Sequence, residues 1–219
     1  MNIRVATANL HGLRAGIAGM ASILDTEAID LVMVQESGPR GSFRKLARCV
    51  GLERVADPPA VLRRRVQNGL LVRRPWRVGA ARHHRFSGAS RLHPRGAVIA
   101  LVTSDRGSLW VVSTHLGLAG GERYRHAREL LAFLGERRPF VLGGDLNAGE
   151  ESSVVAAFSE VAVDVGRTAG ATFPASAPSA RIDYLFVSRE IRVGRVAVRG
   201  GPDASDHLAV LADLEVPEG

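Results

Sequence analysis

Residues 140–148 read Phe140-Val141-Leu142-Gly143-Gly144-Asp145-Leu146-Asn147-Ala148. Three apolar residues open the segment as a buried strand opens, and residues 140–143 read as that strand. Polar residues follow at once. Gly143 and Gly144 carry no side chain, so a ligand can approach the backbone closely. Asp145 and Asn147 stand two apart and, in extended chain, point to the same side. Taken alone, such a segment is also an ordinary loop, because Asp and Asn hydrogen-bond their own backbone.

The same sequence of events recurs along the chain. Short apolar or β-branched runs predict strands at residues 3–8, 31–35, 69–73, 97–103, 109–114, 184–188, 193–198 and 208–214. Helical patterns occupy 17–28, 122–136 and 150–158. Gly-, Pro- and Ser-rich loops are read at 38–42, 58–59, 87–94 and 174–180. Strand and helix alternate early and strands dominate later, which suggests α/β layers with a partly antiparallel sheet. Asn9 follows the first run, Glu36 the second, His115 the run at 109–114, and Asp145 with Asn147 the run at 140–143. Ligands of α/β sheets gather beyond the carboxyl ends of strands.

Asp183 and the pair Asp206-His207 instead precede their runs. If those two strands run antiparallel to the others, their starts reach the same edge, and the polar residues at all six strand ends converge. Neighbours in extended chain point to opposite sides, so Asp206 is poorly placed to orient the ring of His207. Asp183 is the candidate for that task. Each element has a plain structural alternative: a solvated strand end at Glu36, a satisfied histidine at 115, a simple Ser-Asp turn. Their joint occurrence, in order and at strand edges, is what points to a site.

The 219 residues suit one domain, 1–219, at 46% apolar and 23% charged residues. The N-terminus enters a strand-like run without a basic region and apolar stretch, so no signal peptide is expected. No apolar run approaches the ~20 residues of a spanning helix. Cys49 is the single cysteine, which excludes an intrachain disulfide and fits a cytoplasmic protein. The net charge is +7. Residues 58–104 hold no acid but ten arginines, at 63, 64, 65, 73, 74, 77, 82, 85, 91 and 95, so the remainder is net negative. A basic face points to a polyanionic partner. The bland alternative is a general preference for Arg, since Lys45 is the only lysine.

These motifs resemble those of the endonuclease/exonuclease/phosphatase superfamily, which includes pancreatic-type deoxyribonucleases, abasic-site endonucleases, neutral sphingomyelinases and inositol-polyphosphate phosphatases. The matching pieces are Thr7-Ala8-Asn9-Leu10, Gln35-Glu36, Ser113-Thr114-His115-Leu116, Gly143-Gly144-Asp145-Leu146-Asn147-Ala148, Arg181-Ile182-Asp183-Tyr184 and Ser205-Asp206-His207. The resemblance implies a deoxyribonuclease I-like four-layer α/β sandwich, two central mixed β-sheets flanked by helices, with the site at one sheet edge. It makes Glu36 the main metal ligand with Asn9 and Asp206 nearby. Asp145 and Asn147 would position the attacking water and the phosphate. His207, paired with Asp183, would act on the scissile phosphate as base or transition-state stabiliser, and His115 would contact phosphate or the leaving oxygen. Abasic-site enzymes carry Tyr at the position of His115. Arg95 is expected to contact phosphate.

Hard oxygen ligands suit a single Mg²⁺ or Mn²⁺, and no clustered Cys or His marks a zinc site. The expected activity is hydrolysis of a phosphodiester by water, with nucleic acid as first substrate. A phospholipid headgroup or small phosphorylated metabolite is the alternative. A catalytically silent binding module ranks last, because every expected polar residue is present. Trp76, Trp110, Tyr124 and Tyr184 form no recognisable stacking platform. A monomer is expected.

Overall fold

A computed structural model describes residues 1–56, 64–135 and 137–218. In chain order the strands are β1 (Asn2–Asn9), β2 (Leu31–Gln35), β3 (Glu53–Ala56), β4 (Gly69–Val72), β5 (Arg77–Arg85), β6 (Gly96–Ser104), β7 (Gly107–His115), β8 (Phe140–Asp145), β9 (Val163–Asp164), β10 (Asp183–Val187), β11 (Arg192–Arg199) and β12 (Ala209–Glu215). The helices are α1 (Ala18–Thr26), α2 (Arg40–Cys49), α3 (Gly120–Leu134) and α4 (Ser153–Val161), and a short 3₁₀ turn spans His11–Leu13. The described residues form two six-stranded sheets, ordered β11-β12-β1-β2-β4-β3 and β5-β6-β7-β8-β10-β9. Each is mixed, with one parallel pair at its centre: β1 with β2, and β7 with β8.

Side-chain alternation sorts the apolar residues into three layers of core. Ile3, Val5, Leu31 and Met33 of one sheet meet Val98, Ala100, Val111 and Leu185 of the other. The outer face of the first sheet receives Met20 and Leu24 of α1 and Phe43 and Leu46 of α2. The outer face of the second receives Ala127, Leu130 and Leu134 of α3 and Val154 and Phe158 of α4. The result is the expected helix–sheet–sheet–helix sandwich. No helix among the described residues is long and apolar enough to cross a membrane.

β12 runs antiparallel to β1, and β10 antiparallel to β8. The starts of β10 and β12 therefore lie at the edge where β1, β2, β7 and β8 end. The short strands β3 and β9 were not read from the sequence, and three further features depart from that reading. Residues 38–42 are not all loop, because α2 begins at Arg40 behind Pro39. β5 was not anticipated; its sequence Arg77–Arg85 lacks apolar alternation, and it forms as an edge strand through its pairing with β6. The helical pattern at 150–158 is displaced to Ser153–Val161, where the Ser152 hydroxyl caps the helix by accepting from the Val155 amide. The loop read at 58–59, and residues 63 and 136, lie outside the described residues.

Candidate active site

Asp145, the last residue of β8, is buried at the centre of the edge. Its Oδ2 accepts from Asn9 Nδ2 at 3.0 Å and lies 3.2 Å from His115 Nε2. Its Oδ1 accepts from the Asn147 amide at 2.9 Å. That last bond, with Asn147 at φ +50°, closes a turn. The segment 145–147 is therefore not extended as expected. The side chain of Asn147 turns away and donates to Leu116 O at 3.0 Å. The Gly-Gly-Asp-Leu-Asn motif and the backbone-bonding loop are the same object here. Burial alone would raise the Asp145 pKa. The attraction and hydrogen bond of His115, the charge of His207 and the Asn147 amide outweigh it and hold the carboxyl below its ordinary range.

His207 sits across the cluster. Its Nδ1 is 2.9 Å from Asp183 Oδ2, and its Nε2 is 3.9 Å from Asp145 Oδ2. The neighbouring Asp206 turns the other way, with Oδ1 3.2 Å from His11 Nδ1. Burial lowers the His207 pKa, but the hydrogen bond and charge of Asp183 more than reverse this and push it up to about 9. For Asp183 burial dominates instead; helped by the charge of Asp145 and opposed by the hydrogen bond to His207, it raises that carboxyl to about 6. Both buried carboxylates, Asp183 and Asp145, act on His207 in the same upward sense.

Arg95 does not stand as an isolated phosphate contact. Its Nη1 lies 2.8 Å from His115 Nδ1. A guanidinium only donates, so Nδ1 must accept and the ring proton of His115 sits on Nε2, aimed at Asp145. Arg95 thereby sets the tautomer of His115. Its Nη1 is also 3.9 Å from Glu36 Oε1.

Backbone features hold these parts. The Thr172 hydroxyl accepts from the amides of Ile182 and Asp183, and Thr172 O accepts from Leu208 N, so one residue ties the starts of β10 and β12 together. The Ser205 hydroxyl donates to Asn9 O at 2.7 Å. Arg181, ion-paired with Asp164 and Glu150, stacks on Tyr184 and steadies the approach to Asp183. His11, Glu36, Gln67 and Asn147 all have positive φ without being glycine. Such conformations cost of order 1–3 kcal/mol each and persist where the surroundings impose them, most often at functional sites. Sequence reasoning missed His11 and Thr172. A histidine two residues past Asn9, beyond a strand end, was a usable signal; Thr172 carried none.

The residues assigned to metal divide. Asn9 is buried, while the Glu36 and Asp206 side chains are 37% and 39% exposed. Among the described residues the compact group able to hold an ion is Asp145, Asp183 and His207, with ligand atoms within 4.8 Å of one another. Its closeness owes much to the Asp183–His207 hydrogen bond, which already occupies Nδ1. The wider donor set of carboxylates and an amide oxygen fits a hard divalent cation. Asp183 Oδ1 is buried without a hydrogen-bond partner among the described residues, which leaves one such donor unclaimed.

Among the described residues the arginines of the run 58–104 do not form a single track. Arg64, Arg65 and Arg95 line a cleft of about 230 Å³ beside Glu36 and His11. Arg77 pairs across from Thr103, at the opposite end of β5 from Arg85, and Arg73 donates to Ile29 O beyond the far end of β4. Arg63 lies outside the described residues.

Comparison with known structures places this geometry among relatives. The chain superposes on an endonuclease/exonuclease/phosphatase from Bacteroides vulgatus with a TM-score of 0.85, 21% identity, and coverage of 99% of this chain and 100% of that one. Danio rerio TDP2 complexed with a single-strand DNA product gives a TM-score of 0.81 at 18% identity, covering 98% and 99%. A mannosyl-6-phosphatase from Bacteroides thetaiotaomicron gives 0.79 at 18% identity, covering 97% and 99%. No curated protein matches the sequence. The model of the Endonuclease/Exonuclease/phosphatase family matches residues 6–207, from within β1 to the histidine of the Ser-Asp-His motif, and the chain belongs to that family.

Proposed function

We infer that the protein hydrolyses a phosphodiester by attack of water, with Mg²⁺ or Mn²⁺ bound, and that nucleic acid is its first substrate class. Enzymes of this family are divalent-metal-dependent and cleave phosphate esters. One observation carries the reading: Asp145 gathers Asn9, His115 and the Asn147 amide around one carboxylate, with the Asp183-held ring of His207 facing it. Glu36, with Asn9 and Asp206, would hold the cation. When bound, it stabilises the charge that builds on the phosphoryl oxygens. Asp145, kept ionised, accepts a hydrogen bond from the attacking water and orients it. His207 presents Nε2 toward the phosphate; its ring cannot swing, because Nδ1 is engaged by Asp183. A carboxylate-held histidine of this kind contributes about 10²–10⁴-fold. His115, held at Nδ1 by Arg95, directs its Nε2 proton at Asp145 and keeps that carboxylate in place beside the phosphate. The nucleic-acid preference rests on the arginines of the cleft beside Glu36.

A second reading, hydrolysis of a small phosphorylated metabolite, is favoured by the size of that cleft. At about 230 Å³, below the ~300–1,000 Å³ of a typical small-molecule pocket, it suits one compact phosphorylated group of a small substrate better than an extended strand. The test is a panel of plasmid DNA, sphingomyelin, inositol phosphates, a sugar phosphate and a bis-aryl phosphodiester, each with Mg²⁺, Mn²⁺ or EDTA. Cleavage of DNA with metal and none with EDTA is expected. Turnover that survives EDTA would remove the metal from the reaction, and no turnover on any substrate would leave a binding module. In the same assay Glu36→Ala should chiefly weaken metal dependence, while His207→Ala abolishes turnover with metal binding intact. Equal loss of metal affinity in both variants would overturn that division of roles.

A further inference from the structure

The cleft next to the catalytic cluster has a composition that the hydrolytic reaction does not require. Arg14, Arg64, Arg65 and Arg95 line it together with His11 and His93, and Glu36 is the one acid among its described lining residues. It is continuous with the catalytic centre through shared residues. Arg95 touches His115, Glu36 Oε1 is 3.9 Å from His115 Nδ1, and His11 is 3.2 Å from Asp206.

We propose that this cleft is a subsite for a second phosphoryl group, so that the favoured substrate carries one phosphate at the Asp145–His207 cluster and another among the arginines. The proposal rests on the hydrolase reading for the first phosphate and on the cleft alone for the second.

Three observations carry it. The first is charge and shape. A guanidinium fork matches phosphate oxygens two at a time, which a surface lysine does not. The second is that the cleft is built. Arg65 donates to Gly38 O at 2.7 Å and Arg64 to Leu92 O at 3.3 Å, so backbone carbonyls set both side chains. The Arg64 carbonyl in turn accepts from Arg85. Below them Gly12 and Gly38 touch backbone to backbone, both at positive φ, and the Gly12 amide donates to Glu36 O at 2.9 Å. A Cβ at Gly38 would collide with the Gly12 carbonyl, so only glycine permits this floor. The third is size. About 230 Å³ accommodates a phosphoryl group with part of its sugar rather than a whole drug-sized ligand. The cleft is therefore an annex to a substrate held elsewhere, and the cluster beside it is where the rest of that substrate sits.

Two sources offer this chemistry: the next phosphate of a nucleic-acid backbone, and the second phosphate of a small bisphosphorylated metabolite. A paired experiment separates them and tests the subsite. Calorimetric binding is measured for thymidine 3′,5′-bisphosphate against thymidine 5′-monophosphate, and for an inositol bisphosphate against an inositol monophosphate. Hydrolysis is measured in parallel for the p-nitrophenyl ester of thymidine 5′-phosphate with and without a 3′-phosphate. The second phosphate should improve binding and kcat/KM by about tenfold or more, the scale of one charge-assisted hydrogen bond. Arg14 and Arg64 are exposed, so Arg14→Gln with Arg64→Gln should leave the fold intact and collapse the preference toward unity. Lysine at both positions should restore part of it. The pair with the larger preference identifies the source. Equal binding of the mono- and bisphosphate members in both pairs, or a preference untouched by the double variant, overturns the subsite. A binding preference without any hydrolysis upholds the subsite and rejects the hydrolase reading instead.

Discussion

Asp183 Oδ2 accepts from the His207 ring, while its Oδ1 is buried with no donor among the described residues. The carboxylate is thus committed to holding one imidazole in one orientation, and its negative charge supports the charged form of that ring. Asp183→Asn preserves the shape and removes the charge. The variant should lose about 10²–10⁴-fold in kcat, the usual contribution of a positioned proton-transfer group. Metal affinity measured by calorimetry should change far less than in Glu36→Ala. A variant that binds metal as poorly as Glu36→Ala would show Asp183 to be a ligand rather than an orienting group. The pairing itself was legible in the sequence, because adjacency places Asp206 and His207 on opposite sides and leaves Asp183 to reach the ring. The conformation of Asn147 was not legible. An extended segment and an αL turn have the same residues, and only the Asp145 Oδ1 bond to the Asn147 amide decides between them.

Elements were legible where periodicity and burial coincide, as in β1, β2, β7 and β8, which bury their apolar runs almost completely. Two signals were hidden. In α2, Phe43, Leu46 and Ala47 form a buried face at helical spacing, but Gly38-Pro39 before it reads as loop, although Pro is a good helix opener. β5 exposes most of its arginines and small residues, and its strand character comes from β6 rather than from its own sequence. α3 presents a further case. His126 is fully buried, stacked on Phe86 at 4.4 Å between ring centroids, with Nδ1 accepting from the Gly117 amide. Burial lowers its pKa, against the smaller upward pull of Glu122. A base whose folded pKa is depressed binds its proton more readily in the unfolded chain. Its contribution is therefore constant above the unfolded value near 6.5 and is lost as pH falls below it. His207, shifted upward, acts in the opposite sense between about 9 and 6.5, so only a difference between proteins isolates His126. Urea unfolding of His126→Leu should show a flatter stability profile than the parent between pH 7 and pH 5. Parallel profiles would show that His126 does not titrate with unfolding.

At the scale of the molecule, the two sheets repeat one plan: an antiparallel strand pair on each side of a central parallel pair. β7 and β8 of one sheet correspond to β1 and β2 of the other, and β10 corresponds to β4. His115 pairs with Asp145 as Asn9 pairs with Gln35. Asp145 pairs with Asp183, and the residues flanking the terminal Val34–Gly69 pair at this edge are Gln35 and Asn68. The same topological place thus carries the carboxylates Asp145 and Asp183 in one sheet and neutral amides in the other. Those amides join the sheets beneath the site. Gln35 Nε2 donates to Ser113 Oγ at 3.2 Å, and Asn68 Nδ2 donates to Gly96 O at 2.7 Å and Ser113 O at 3.3 Å. Away from the site the interface is apolar and its contacts are non-directional. Here directional bonds fix their relative position, and with it the distance from Glu36 on one sheet to His115 and Asp145 on the other. Loss of a buried hydrogen-bond partner costs about 1–3 kcal/mol. Asn68→Ala should lower unfolding stability by that amount, read from urea midpoints, and should also reduce kcat although Asn68 belongs to none of the groups assigned to the reaction. Asn68→Asp keeps the size but replaces the donating NH₂ with an acceptor facing two carbonyls, and should be worse than Ala on both measures. If both variants lose stability yet keep full kcat at temperatures where they remain folded, the amide bridge holds the sheets together without setting the site.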